Sequence, residues 1–331
     1  MIQLNKSMSI LFVLFIVFCQ TAFAAGGEGN LEKGIALFDA EKYDEAKVIF
    51  TGVVDKNSKN PEAWYYLGRI CFVDDDYKKA IEWFEKAIKY DENVSNYHLW
   101  LGNAYGNEIK NVGKFKQLLM VKKFKSELEK AVELDADNIE ARRGLMEYYL
   151  YAPAIGGGSK EKAVEEAKEI RKRDSKKGLE AFITIHTVQK KYDLAEKEYL
   201  ALIDTDPRNF DYHIRLAWLY INAEDYEKAY KKLTGLIEEY PEKSGPYYSI
   251  GHIASVSGKY SEHAETCMLK FFELVAPEME QHSKAGIARW HYVFGTIYDK
   301  NGKKELAKKE YQMALKLNPD SKEAKEALKT L

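Results

Sequence analysis

The chain has 331 residues, 31% charged and 46% hydrophobic, with only 7 prolines. That balance excludes an intrinsically disordered polymer and suits a helical protein. A formal net charge of -2 gives the whole molecule no electrostatic case for nucleic acid or an anionic membrane, so nucleic acid is not expected as a partner.

Residues 1–24 stand apart. Lys6 gives a positive start, Ile10 to Phe18 is an unbroken apolar run, and Ala22-Phe23-Ala24 is a small-x-small cleavage site. This reads as a secretory signal removed after Ala24. The run is too short for a comfortable membrane span, and bulky Phe18 before Cys19 argues against lipidation. A signal ahead of a chain with few cysteines predicts the periplasm of a Gram-negative bacterium.

From Gly27 onward one pattern returns. In Pro61 to Val94, Trp64, Leu67, Gly68 and Cys71 fall at i, i+3, i+4 and i+7, one face of a helix. Asp74 to Asp76 read as a turn, and Tyr77, Ala80, Phe84 and Ala87 mark a second apolar face. Neither helix can bury its face alone, so neighbouring copies must stack. Trp64, Leu67-Gly68, Tyr77, Ala80, Phe84 and Ala87 resemble the tetratricopeptide repeat. The resemblance implies an all-α, right-handed superhelical solenoid of about eight helix-turn-helix repeats with a C-terminal capping helix. In register, the repeats fall near 27–60, 61–94, 95–138, 139–175, 176–209, 210–243, 244–287 and 288–321, with the cap over 322–331. They fill the chain after the signal, so no stretch is left for a catalytic domain, and no enzyme activity is expected.

Three repeats are stretched, the third and seventh by about ten residues each and the fourth by three. Gly34, Gly68 and Gly102 are evenly spaced, but Met146 takes the next glycine place ten residues late. The insert falls around Asn107 to Met120. It overlaps a lysine-rich stretch from Lys110 to Lys130 that also holds Phe115, Leu118, Leu119 and Phe124. A solvated face, a dimer contact, an acidic partner or a membrane surface would each suit it. The insert of the seventh repeat lies between Phe272 and Ala285, around Pro277. In the fourth repeat, Gly156-Gly157-Gly158-Ser159 opens a helix, as a phosphate loop can. It lacks the Gly-Lys-Ser/Thr ending and the preceding strand of such a loop, so a structural connection with Ser159 as N-cap is the expectation. Tyr148 to Ala163 resembles a variant found in some exported bacterial repeat proteins.

Five repeats separate Cys71 from Cys267, at about 8–10 Å per stacked helix. A disulfide needs Cα atoms within roughly 7 Å, so two buried free thiols are expected. His263 and Cys267 are an i, i+4 pair, but no further ligand follows at metal-binding spacing. No metal and no cofactor is expected.

The groove is the preferred binding site. The resemblance places on the concave surface the stripe one residue on from each core stripe. It reads Tyr65, Arg69, Phe72; then Leu99, Asn103; then Arg143, Glu147, Tyr151; then Ile214, Trp218, Asn222; then Tyr248, His252; then Tyr292, Thr296. Aromatics with Arg and Asn on an open face are what protein-binding hot spots use. A subclass of the family clamps a C-terminal carboxylate with Lys and Asn in successive first helices. Here the equivalent places read Leu31, Ile35, Arg69 and Asn103, so that clamp is unmatched. The expectation is a non-catalytic scaffold of the bacterial envelope that binds a peptide or partner helix. A carrier of a small molecule or lipid is the alternative, favoured if a closed cavity lined by Tyr and Trp is present.

Overall fold

The structure, a computed structural model, describes residues 29–331. The signal segment and Cys19 lie outside the described residues. The chain divides into two compact units, one through Asp174 and one from Ser175. The sequence reads as one continuous run of repeats, whereas this division falls where the fourth repeat gives way to the fifth.

In the first unit α1 spans 29–39. It is followed by α2 (Tyr43–Lys56), α3 (Pro61–Val73), α4 (Tyr77–Tyr90) and α5 (Ser95–Glu108). A 3₁₀ turn at Ile109–Asn111 leads to α6 (Lys114–Leu134), then α7 (Ile139–Tyr151), a second 3₁₀ turn and α8 (Lys160–Arg173). The second unit holds α9 (Ser175–Val188), α10 (Tyr192–Thr205), α11 (Phe210–Asn222), α12 (Tyr226–Glu239), α13 (Ser244–Ser257) and α14 (Ser261–Val275). After a 3₁₀ turn at Ala276–Gln281 come α15 (Lys284–Lys300), α16 (Lys304–Leu317) and α17 (Lys322–Thr330). Odd-numbered helices through α15 are the first helix of each pair.

Local chemistry sets the boundaries. Asn60, Asn138 and Asn209 each accept a backbone N–H at the start of a first helix, and Asp76 and Asp225 do so for a second helix. The first helices α1, α3, α9, α11, α13 and α15 each run into a left-handed residue: Glu41, Asp75, Lys190, Glu224, Gly258 and Gly302 in turn. At five of these ends the following N–H reaches back, as Asp76 N does to Cys71 O at 2.9 Å, satisfying a carbonyl that the helix end leaves open; after Gly258, Lys259 N donates instead to Ser257 Oγ at 3.1 Å.

Packing follows from size. Ala46, Ala80, Ala195, Ala229, Ala264 and Ala307 are fully buried where second helices approach closely. Phe84 is fully buried against Gly68, where an added Cβ would stand 2.6 Å from its ring. Gly295 meets Tyr311 in the same way at 2.7 Å. Burying one such ring stabilises the fold by about 1.5–3 kcal/mol. In the fourth repeat Met146 fills its core place, while Gly144 makes the close approach, its Cβ position 2.8 Å from Leu128.

The first insert lengthens α6 to 21 residues, against 14 in α2 and α4. A pair between buried His98 and half-buried Glu127 ties this helix to α5. His98 Nδ1 lies 2.7 Å from Glu127 Oε2, and Nε2 lies 3.0 Å from the Glu92 carbonyl. Both nitrogens face acceptors, so the imidazolium alone satisfies both. Burial pulls the His98 pKa down, but the Glu127 carboxylate and Glu92 carbonyl outweigh it, and the net shift is upward. The stabilisation is therefore complete below the unfolded value of about 6.5 and is lost as pH rises through the folded value. Wild type should exceed His98→Gln in denaturant midpoint at about pH 5, and the gap should shrink by about pH 9. A gap that widens with pH would contradict the charged pair.

Candidate binding face

The first-helix face of the first unit is built around Arg69 on α3, one residue beyond core Gly68. Its guanidinium carbon lies 3.7 Å from the centroid of the Trp100 ring, 5.1 Å from Phe38 and 5.7 Å from Tyr65. Nη1 donates to Tyr65 Oη at 2.9 Å. Phe72 holds Trp100 edge-on at 5.0 Å. Among the described residues no carboxylate pairs with Arg69, and its Nε is buried without a hydrogen-bond partner. Such cation–ring contacts contribute about 0.5–2 kcal/mol depending on desolvation. The result is a guanidinium held in place by rings and lacking a counter-ion. An incoming carboxylate would meet it with a charge-assisted, forked pair.

Tyr65 is not an open handle. It is buried, with ring centroids 5.0 Å from Tyr97 and 5.2 Å from Tyr66. Burial comes first in raising its phenol pKa, with Arg69 opposing. One residue on from the core stripe still faces the neighbouring pair of helices at this level, so Tyr65 supports Arg69 instead of meeting solvent. Leu99 is buried for the same reason. Asn103 is half-buried, and its carbonyl accepts from Asn107 at 2.9 Å. Arg143 and Glu147 are exposed on α7, and Arg143 pairs with Glu140 at 2.6 Å. Sequence reasoning missed Trp100 and Phe38. The signal was there: Trp100 occupies the place of Tyr66 one repeat on. Its contact with Arg69 appears only when α5 stacks on α3.

In the second unit, Trp218, His252 and Tyr248 come together as a half-buried row. The His252 ring centroid is 5.3 Å from Trp218 and 6.4 Å from Tyr248. Its Nδ1 is buried and unpartnered. Burial, then the nearby Arg289 charge, holds the imidazole below its usual range, so it presents a neutral ring. Tyr248 rests on Phe271 at 5.3 Å. Tyr292 covers core Tyr311 at 5.9 Å, and Asn222 is exposed at the end of α11.

The glycine loop is closed on itself. Gly156, Gly157 and Gly158 donate to the carbonyls of Pro153, Ala154 and Pro153 at 2.8, 3.0 and 3.1 Å. Ser159 N donates to Tyr149 O at 2.9 Å, and Tyr148 Oη donates to Gly156 O. Ser159 Oγ caps α8 by accepting from Lys162 N. Glu161 sits in the first turn, its carboxyl held low by its own backbone N–H and then by Ser159. Every glycine N–H is used and a carboxylate already occupies the helix start, so the loop is a structural connection and no phosphate cradle.

Cys71 and Cys267 are free and buried. Cys267 Sγ does meet His263 Nε2 at 3.5 Å, but His263 Nδ1 is taken by Tyr230 Oη at 2.9 Å. No group of three metal-binding side chains occurs among the described residues. Burial pushes the Cys267 thiol up to about 12, leaving it protonated and unreactive at neutral pH.

Known proteins place this geometry. Sequence profiles of the tetratricopeptide repeat match residues 31–105 and 188–244, and a second such profile matches 288–321. No curated protein matches the chain. Among solved structures, a tetratricopeptide repeat protein from Parabacteroides merdae is similar with a TM-score of 0.54 at 15% identity, over 92% of this chain and 97% of its own. Human IFIT1, solved as a dimer with m7Gppp-AAAA, is similar with a TM-score of 0.50 at 17% identity, over 89% and 72%. A thermophilic repeat protein of Thermus thermophilus is similar with a TM-score of 0.48 at 18% identity, over 59% and 99%. The profile matches and the stacked helix pairs lead to one conclusion: the chain belongs to the tetratricopeptide repeat family, with an all-α solenoid fold.

Proposed function

We propose that the protein is a non-catalytic interaction scaffold that holds an extended peptide along its first-helix face, with Arg69 receiving a carboxylate of the partner. The observation that carries this reading is the Arg69 guanidinium, framed by Phe38, Tyr65 and Trp100 and without a counter-ion among the described residues. A guanidinium desolvated on three sides gains most from an anion that arrives with its own chain. The row Trp218, His252 and Tyr248 is an aromatic surface of the second unit that would suit a partner of its own. A small-molecule carrier has less support. Cavities of about 390 and 610 Å³ are lined by other residues, among them Lys228, Lys231 and Lys232 in one and Glu262, Glu265 and Lys303 in the other. Those charged linings suit neither a lipid nor an apolar metabolite.

Nucleic acid is not proposed, since the net charge is -2 and likeness to IFIT1 is a likeness of fold. Lys6, the run Ile10 to Phe18 and Ala22-Phe23-Ala24 support export to the periplasm of a Gram-negative cell, with a mature start at Ala25. The test of the scaffold reading is an array of extended peptides that carry acidic residues, paired with copies in which Asp and Glu become Asn and Gln. Binding confined to the acidic set supports the reading, and equal binding of both sets overturns Arg69 as its centre.

A further inference from the structure

The lengthened start of α6 is a second surface, separate from the Arg69 face. From Ile109 to Lys123 the chain has five lysines and no acidic residue, in a protein whose net charge is -2. Lys123 reaches Tyr105 Oη at 3.0 Å and Glu85 at 3.9 Å. Among the described residues, Lys110, Lys114, Lys116 and Lys122 have no ion-pair partner. Between them stand Leu118 and Leu119, 53% and 50% exposed, two of the larger apolar side chains left in solvent. The inner side of the same turns is anchored. Gln117 Nε2 donates to Ile109 O and Val112 O, each at 3.1 Å, and Met120 and Phe124 pack into the first unit's core. The segment is thus a fixed elbow that shows leucines and lysines outward. It exists because of an insert that the helix-pair stacking does not need.

The geometry points to an anionic lipid bilayer as the occupant of this face. The two leucines stand in solvent with lysines around them, and neither of the two cavities above includes them in its lining. Protein interfaces are poor in Lys and rich in Arg, Tyr and Trp set in pockets. A bilayer needs no pocket: leucines enter the headgroup boundary while lysine stems lie along it and their charges meet lipid phosphates. No helix among the described residues is long and apolar enough to cross a membrane, so the attachment is to the surface. The net charge excludes membrane attraction for the molecule as a whole, and the patch supplies it locally, within a screening length of about 10 Å.

The test is vesicle flotation of the chain from Ala25 onward, which carries every described helix and omits the apolar leader. Vesicles of phosphatidylglycerol with phosphatidylcholine are compared with phosphatidylcholine alone. The chain should float with the anionic vesicles only, and added salt should release it. Each of Lys114→Gln, Lys116→Gln and Lys122→Gln should weaken binding about fivefold. Leu118→Ser with Leu119→Ser should weaken it further at unchanged helicity. No flotation, or flotation that ignores the lysines, overturns the proposal. So does leucine-independent binding with equal affinity for polyglutamate, which would mark a general anion patch. A dimer in solution that the two Ser substitutions dissolve, without lipid binding, would assign the face to a second copy instead. None of these readouts depends on Arg69.

Discussion

Gly158→Ala is expected to destabilise the first unit by about 3 kcal/mol or more, while Gly156→Ala stays within about 0.5 kcal/mol of wild type. A Cβ on Gly158 would stand 1.8 Å from the Ala152 carbonyl oxygen, a backbone atom that cannot swing aside. Relief requires opening the turn that carries the N–H bonds from Gly158 to Pro153 and from Ser159 to Tyr149. That frees Tyr148 and Tyr149 from the loop and uncaps α8. On Gly156 the nearest atom is Pro153 Cδ at 3.7 Å, ordinary contact. Urea unfolding followed by circular dichroism reads both variants. Equal midpoints for the two would contradict the loop geometry.

The second large effect concerns binding. Arg69→Gln is expected to weaken an acidic peptide at least about thirtyfold, ~2 kcal/mol, because the partner's carboxylate loses a forked, partly desolvated pair. Arg69→Lys should fall between, since an ammonium keeps the charge but not the fork. The stability cost of Arg69→Gln without peptide should be small, below about 1 kcal/mol. The lost ring contacts are worth about 0.5–2 kcal/mol, and removing the unpartnered Nε offsets part of that. A structural arginine would show the reverse pattern, with a large loss of stability and no selective loss of binding. Calorimetric titration and thermal unfolding of the same samples separate the two.

The repeat itself was legible because its signals are local. Small residues at Gly68 and Ala80, an aromatic at Phe84 and the polar turn at Asp74 to Asp76 each impose their geometry within one helix pair. The structural reading of the glycine loop was legible too, since the sequence lacks the lysine and strand of a phosphate site. The division of the chain at Asp174 was not visible, because nothing in the spacing of Ala163, Ala167 and Ile170 marks it. The grouping of side chains on the candidate face was half legible. Register put Arg69, Phe72, Trp218, Tyr248 and His252 on one stripe, and the structure groups them into two clusters. Register could not tell that Tyr65 is covered or that Trp100 faces Arg69, because both follow from how one pair leans on the next. The exposure of Leu118 and Leu119 likewise depends on which side of α6 Gln117, Met120 and Phe124 take up.

The most direct test is crosslinking in cells from a photoreactive phenylalanine analogue at position 72, inside the aromatic frame beside Arg69, with mass spectrometry of the captured species. One dominant protein is expected, crosslinked through a segment with acidic residues and lost on Arg69→Gln. Capture that is unaffected by Arg69→Gln, or a small molecule in place of a protein, would contradict it.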